Sequence, residues 1–113
     1  MSEATPLELQ TWFLVLRTWI DRTDADKWIG EHLEWMREEH NSGRIVMSGP
    51  SADREYGIYL VRAPSIADAA AIAERDPFVV QGLARQTIIQ WEVHQILGIG
   101  DFSHTMQGTP TSS

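Results

Sequence analysis

Four short apolar segments and two stretches of helical periodicity follow one another along the 113-residue chain in the order β-α-β-β-α-β. That order predicts an α+β fold, one ferredoxin-like sandwich with its helices on one face of an antiparallel sheet. Three observations carry the prediction. β-branched and aromatic residues concentrate in the strand segments. Each helical stretch opens on Ser or Thr with Asp three residues later, a capping-box spacing. Gly, Pro and Asn stand at the joins.

Taken in order, residues 1–9 are a polar lead-in. Gln10 to Trp19, "QTWFLVLRTW", reads as a buried strand. "DRTDAD" breaks it, and Thr23 with Asp26 predicts a helix starting near Asp24. Trp28, Ile29, His32, Leu33, Trp35, Met36 and His40 then recur at helical spacing and give that helix an apolar face. Asn41, Ser42 and Gly43 end it. "RIVMS" is the second strand, closed by Gly49-Pro50, and "YGIYLVRA" from Tyr56 is the third. Ser65 with Asp68 opens the second helix, whose alanines suit close packing, and Pro77 stops it. "FVVQGL" is one further short turn, and Thr87 to Leu97 is the fourth strand. The expected organisation is a single unit over residues 10–98 and a partly disordered polar tail over residues 99–113.

Helices on one face leave the other face of the sheet to be covered. The strands carry large apolar residues at alternate positions on both sides, so a second copy packing sheet to sheet is expected, giving a homodimer. The net charge of −7 argues against nucleic acid and anionic membranes, which reward clustered Lys and Arg. No apolar run is long enough to span a bilayer. The chain has no cysteine, which removes thiolate chemistry and disulfides and suits the cytoplasm. Five tryptophans exceed the needs of so small a core, and one or two are expected to face a ligand or partner.

"EHLEWM", "GRIVMSGP" and "ERDPFVVQGL", followed by a strand containing "IIQWEV", resemble the YCII-related proteins, over roughly Trp12 to Leu97. These belong to the dimeric α/β-barrel group, alongside muconolactone isomerases and cofactor-free monooxygenases. The resemblance implies a catalytic pair of a first-helix histidine and an Asp-Pro aspartate, which fall on His32 and Asp76. It places the Ser-Gly-Pro on Ser48, Gly49 and Pro50. Many members carry an arginine just before the helix histidine; here the chain reads "WIGEH", and Arg17 is the nearest substitute.

Each residue also has a structural reading. Asp76 before Pro77 suits a helix N-cap, a role compatible with catalysis if one carboxylate oxygen caps while the other holds an imidazole. His32 suits a core position with a backbone partner. As a working group it offers an imidazole, the side chain suited to proton transfer near neutrality, which needs an acceptor to fix its tautomer. Ser48 is turn chemistry or a donor to a substrate oxygen. Arg17 anchors a carboxylate or phenolate, or makes a surface or interface salt bridge. Trp28 stands with the tryptophans expected to exclude water and stack on a flat ring. Glu92 and His94 share a strand face but lack a third ligand at matching spacing, so no metal site is expected. "REEH", Arg37 to His40, reads as a solvated helix face.

Three functions follow. The first is a small cofactor-free enzyme in which His32 and Asp76 move a proton on a cyclic, aromatic-derived metabolite, by isomerisation, elimination or dehydrohalogenation. Ser48, the Gly49 backbone and Arg17 would then steady the developing enolate charge. The second is a non-catalytic dimer binding a small ligand or a protein. A third, an oxygenase of the same fold, would call on His94 if it used haem.

Overall fold

A computed structural model describes residues 11–100. Within them the order is β1 (Thr11–Trp19), a 3-10 turn (Ala25–Lys27), α1 (Ile29–Asn41), β2 (Ile45–Pro50), β3 (Tyr56–Val61), α2 (Ile66–Ala73), α3 (Pro77–Val80) and β4 (Ala84–Glu92). A two-residue hairpin, β5 (Gln95–Ile96) and β6 (Ile99–Gly100), follows. The four long strands form one antiparallel sheet in the order β2-β3-β1-β4, the ferredoxin-like α+β arrangement expected. The lead-in, the tail beyond Gly100 and His104 lie outside the described residues. No helix among the described residues is long and apolar enough to cross a membrane.

β1 lies inside the sheet, and its alternation sets the two faces. Val15 stands opposite Tyr59 on β3 and Ile88 on β4, and Phe13 stands opposite Val61. These residues meet Trp35 of α1, Ile45 of β2 and Ala69, Ile72 and Ala73 of α2 in one core. The alanines of α2 let that helix sit close to the sheet, as their pattern predicts. Ser65 caps α2: its Oγ accepts from the Asp68 N–H at 3.1 Å.

Two boundaries differ from expectation. The helix expected near Asp24 begins at Ile29, after a separate 3-10 turn. Asp21 Oδ1 accepts from the Thr23 N–H at 2.9 Å, so a local turn takes the group that a capping box would have used. Neither Asp24 nor Trp28 caps with its side chain. The fourth strand runs from Ala84 and stops at Glu92 rather than reaching Leu97. Beyond it, Leu97 (φ 55°) and Gly98 (φ 82°) both take left-handed backbone and turn the chain into the small hairpin.

Candidate active site

The helix-facing side of the sheet opens into a cavity of about 420 Å³. Its lining falls into sequence-adjacent groups. Arg17 and Trp19 come from β1, and Tyr56 to Tyr59 from β3. Ile29, His32, Leu33 and Met36 come from one side of α1, at helical spacing, and Ser48, Gly49 and Pro50 from the end of β2. Phe78 comes from α3.

His32 and Asp76, 44 positions apart in the chain, meet. His32 Nδ1 lies 2.9 Å from Asp76 Oδ1, and the carboxylate is fully buried. Two constraints of the chain bring this about. The helical period turns His32 and Trp35 inward together, and Pro77 fixes the first position of α3 so that Asp76 precedes it as N-cap. The cap is made by the same oxygen: Oδ1 also accepts from the Phe78 N–H at 3.0 Å. The expected division, one oxygen for the cap and one for the imidazole, is therefore not the arrangement found. An ionised Asp76 assigns the ring proton to Nδ1, leaving Nε2 as the nitrogen with a lone pair. Phe78 stacks on the imidazole with centroids 4.5 Å apart, and Trp35 tilts against it at 5.8 Å.

The other oxygen, Oδ2, faces Arg17 Nη1 at 3.8 Å and makes no hydrogen bond. Arg17 is buried, so the surface-salt-bridge reading of this residue does not apply. Its guanidinium carbon lies 4.8 Å from the Trp19 ring centroid and 5.1 Å from that of Phe78, within cation–π range. Burial lowers the Arg17 pKa below its ordinary value, and the nearby Arg22 charge adds to this, against the raising effect of Asp76 and Tyr59. Burial also pushes the Tyr59 phenol well up, so it stays neutral. Space for the guanidinium is made by Gly57: a Cβ there would fall 2.7 to 2.9 Å from Arg17 Cζ and both Nη atoms.

Ser48 Oγ lies 2.8 Å from His40 Nε2, so the serine at the cavity wall is held by a second histidine of α1. Gly49 also lines the cavity. Trp28, the N-cap residue of α1, does not; the indole there belongs to Trp19. The "REEH" segment is only partly a solvated face. Glu34 and Arg37 pair on the surface, but Glu39 is buried between Arg44 and Arg75. His94 lies beyond the end of β4, with Nε2 3.6 Å from Glu92 Oε1, and is not in the cavity lining. Among the described residues no three His, Asp or Glu side chains gather as a metal site.

Several lining and supporting residues carry signals in the sequence. Trp19 follows Arg17 by two positions on the same strand face, and Phe78 follows Asp76 by two. His40 lies eight positions after His32 on one helix stripe. Gly57 interrupts an otherwise large and apolar strand, a usual mark of close approach.

The YCII-related domain family matches residues 11–92. Over 65 residues, 58% of this chain and 76% of the relative, the sequence is 32% identical to an uncharacterized protein, YjpA, of Bacillus subtilis (strain 168). A solved structure of similar fold is 5-chloro-2-hydroxyhydroquinone dehydrochlorinase (TftG) from Burkholderia phenoliruptrix AC1100, in complex with 2,5-dihydroxybenzoquinone. It superposes with a TM-score of 0.59 at 21% identity, covering 74% of this chain and 95% of that one, a likeness of fold. With the family matched across the whole of the four-stranded unit, the chain belongs to the YCII-related family.

Proposed function

We propose that this chain is a small enzyme moving a proton on a hydroxylated, aromatic-derived ring, with His32 as base and then acid and Asp76 as its orienting partner. The observation that carries the reading is the buried 2.9 Å contact of His32 Nδ1 with Asp76 at the wall of a cavity large enough for such a ring. Nε2 takes a proton from substrate oxygen or carbon, and the Asp76 carboxylate stabilises the imidazolium formed. Negative charge grows on the substrate oxygen, where Arg17 and the Ser48 hydroxyl steady it.

Isomerisation returns the proton at another atom. In elimination the electron pair freed by deprotonation forms the new double bond, a halide leaves with its own pair, and HX is lost overall. Neither route changes the oxidation state of the protein. The name of the fold neighbour, a dehydrochlorinase held with a dihydroxybenzoquinone, supports the elimination branch. The chain's own side chains are the only groups this route requires. The apolar residues on the uncovered sheet face support a homodimer, and the lack of cysteine supports a cytoplasmic setting.

The test is to incubate the protein with hydroxylated and halogenated rings in D₂O, following deuterium incorporation by NMR and halide release. The first substrate is 5-chloro-2-hydroxyhydroquinone. Wild type should accelerate one of these processes, and His32→Ala should lower that rate by about 10²- to 10⁴-fold while still binding the ring. Binding without acceleration in wild type would instead support the second reading, a non-catalytic small-ligand protein.

A further inference from the structure

Nine lysines and arginines stand against sixteen acidic residues in this chain, yet three of the nine, Arg17, Arg22 and Arg54, line the cavity. Asp26 is the single acidic residue among the lining groups; Asp76 lies behind His32 and is already committed to it. A chain of net charge −7 repels anions at long range, so this local excess of positive charge runs against the rest of the molecule.

The placement of two of these arginines is unusual. Arg22 and Arg17 approach the same indole: their guanidinium carbons lie 5.4 and 4.8 Å from the Trp19 ring centroid. Two like charges on one ring repel, and the Arg22 charge contributes to lowering the Arg17 pKa. Arg17 has the Asp76 carboxylate near it, whereas among the described residues no carboxylate lies within 4 Å of Arg22 or Arg54. Arg54 is held as well as exposed. It sits at φ 67° in the β2–β3 loop, its N–H donates to the Ser51 carbonyl, and its own carbonyl accepts from Arg22 Nη2 at 3.4 Å. The first segment after β1 and the tip of the β2–β3 loop are thereby drawn to one side of the cavity.

We propose that Arg22 and Arg54 form an anion subsite at the exposed side of the cavity, and that the ring processed at His32 carries a carboxylate. This rests on the proton-transfer reading for the role of the ring, but the subsite itself is a matter of binding. Guanidinium groups match a carboxylate with paired, directional N–H donors. A carboxylate placed there also relieves the repulsion between Arg17 and Arg22. Arg17, deeper and beside Asp76, is left to meet the reacting oxygen.

The experiment compares two probes that differ by one carboxylate, hydroquinone and 2,5-dihydroxybenzoate, by calorimetric titration of the full chain. Wild type should bind 2,5-dihydroxybenzoate about tenfold more tightly or better, with the difference shrinking as salt is raised. In the double variant Arg22→Gln/Arg54→Gln the difference should vanish, with the melting temperature confirming an intact fold. Equal affinities in wild type, no binding of either probe, or a difference that survives in the double variant would each overturn the proposal. His32→Ala separates this from the catalytic reading. A carboxylate preference retained in that variant, beside a wild type that moves no proton, leaves the subsite standing and removes the enzyme.

Discussion

Asp76 serves three partners from a fully buried position: the imidazole of His32, the backbone N–H of Phe78 and the guanidinium of Arg17. Asp76→Asn separates them. The amide oxygen still accepts from Phe78 and His32, so the start of α3 survives, but the charge that steadies an imidazolium and faces Arg17 is gone. Turnover should fall by about 10²-fold or more, with a loss of roughly 1–3 kcal/mol in stability from the poorer match to Arg17. Steady-state kinetics beside urea melts measure both, and lost stability with unchanged turnover would make Asp76 a structural residue alone. Gly57→Ala asks a different question. Alanine in a strand ordinarily gains about 0.5–1 kcal/mol over glycine, but here the new methyl group meets the Arg17 guanidinium. The arginine must leave its place over Trp19 and Phe78. Ring affinity should drop by about tenfold, and the melting temperature should fall as well, because the displaced guanidinium no longer faces the buried Asp76 carboxylate.

At the scale of elements, one carboxylate ties three of them together. Glu39 of α1 is 2% exposed and accepts from Arg44 Nε, just before β2, at 2.6 Å, and from Arg75 Nη2, just after α2, at 3.1 Å. Burial pushes its pKa up, but the bonds and charges of the two arginines more than offset this and hold it below the ordinary 4.5. A carboxylate with a depressed folded-state pKa adds stability above its unfolded pKa, and that contribution is lost as pH falls through the folded value. Glu39→Gln should therefore be less stable at neutral pH by roughly 1–3 kcal/mol, allowing for the half-exposed arginines. The gap should close on acidification below the usual glutamate range. Urea melts across that range check it, and a gap independent of pH would remove the charge as its cause. This clamp shows why the sequence was legible only in part. The succession of elements along the chain and the Ser65 cap depend on neighbours a few residues away, and local pattern contains them. The start of α1 depends on Asp21 competing for the turn, and the small hairpin beyond β4 on Leu97 entering left-handed backbone, which apolar periodicity does not register. Glu39 sits in a run of charges that reads as solvated until Arg75, 36 positions later, is known to reach it. His32 and Asp76 were picked out by resemblance, since nothing local says that a helix histidine and a cap will meet, and the neighbouring His40–Ser48 contact lacked even that guide.

Among the described residues, the helices cover one face of the sheet and leave the other without a helix. Leu14, Leu16, Leu60, Met47, Ile89 and Trp91 stand on the face away from α1 and α2, in a register that sets Leu14 beside Leu60 and Ile89. Ile89 and Trp91 are close to half exposed and Met47 more so. Burying such a patch against a second copy releases water from apolar surface at roughly 25 cal/mol per Å², and a two-fold axis needs only that the patch complement itself. The proposed homodimer is thus a consequence of which residues alternate on β1 and β4. Ile89→Asp tests it with a built-in doubling, since the axis brings two new carboxylates into one apolar interface. Light scattering should give wild type twice the 12.8 kDa chain mass and the variant a single chain, both with the same far-ultraviolet circular dichroism. A monomeric wild type at micromolar concentration would end the dimer reading. The cavity lies on the helix side of the sheet, opposite this patch, so a monomeric Ile89→Asp should still bind 2,5-dihydroxybenzoate as wild type does. If it loses that ligand along with its partner, the second copy supplies part of the site, and the cavity must be drawn from two chains.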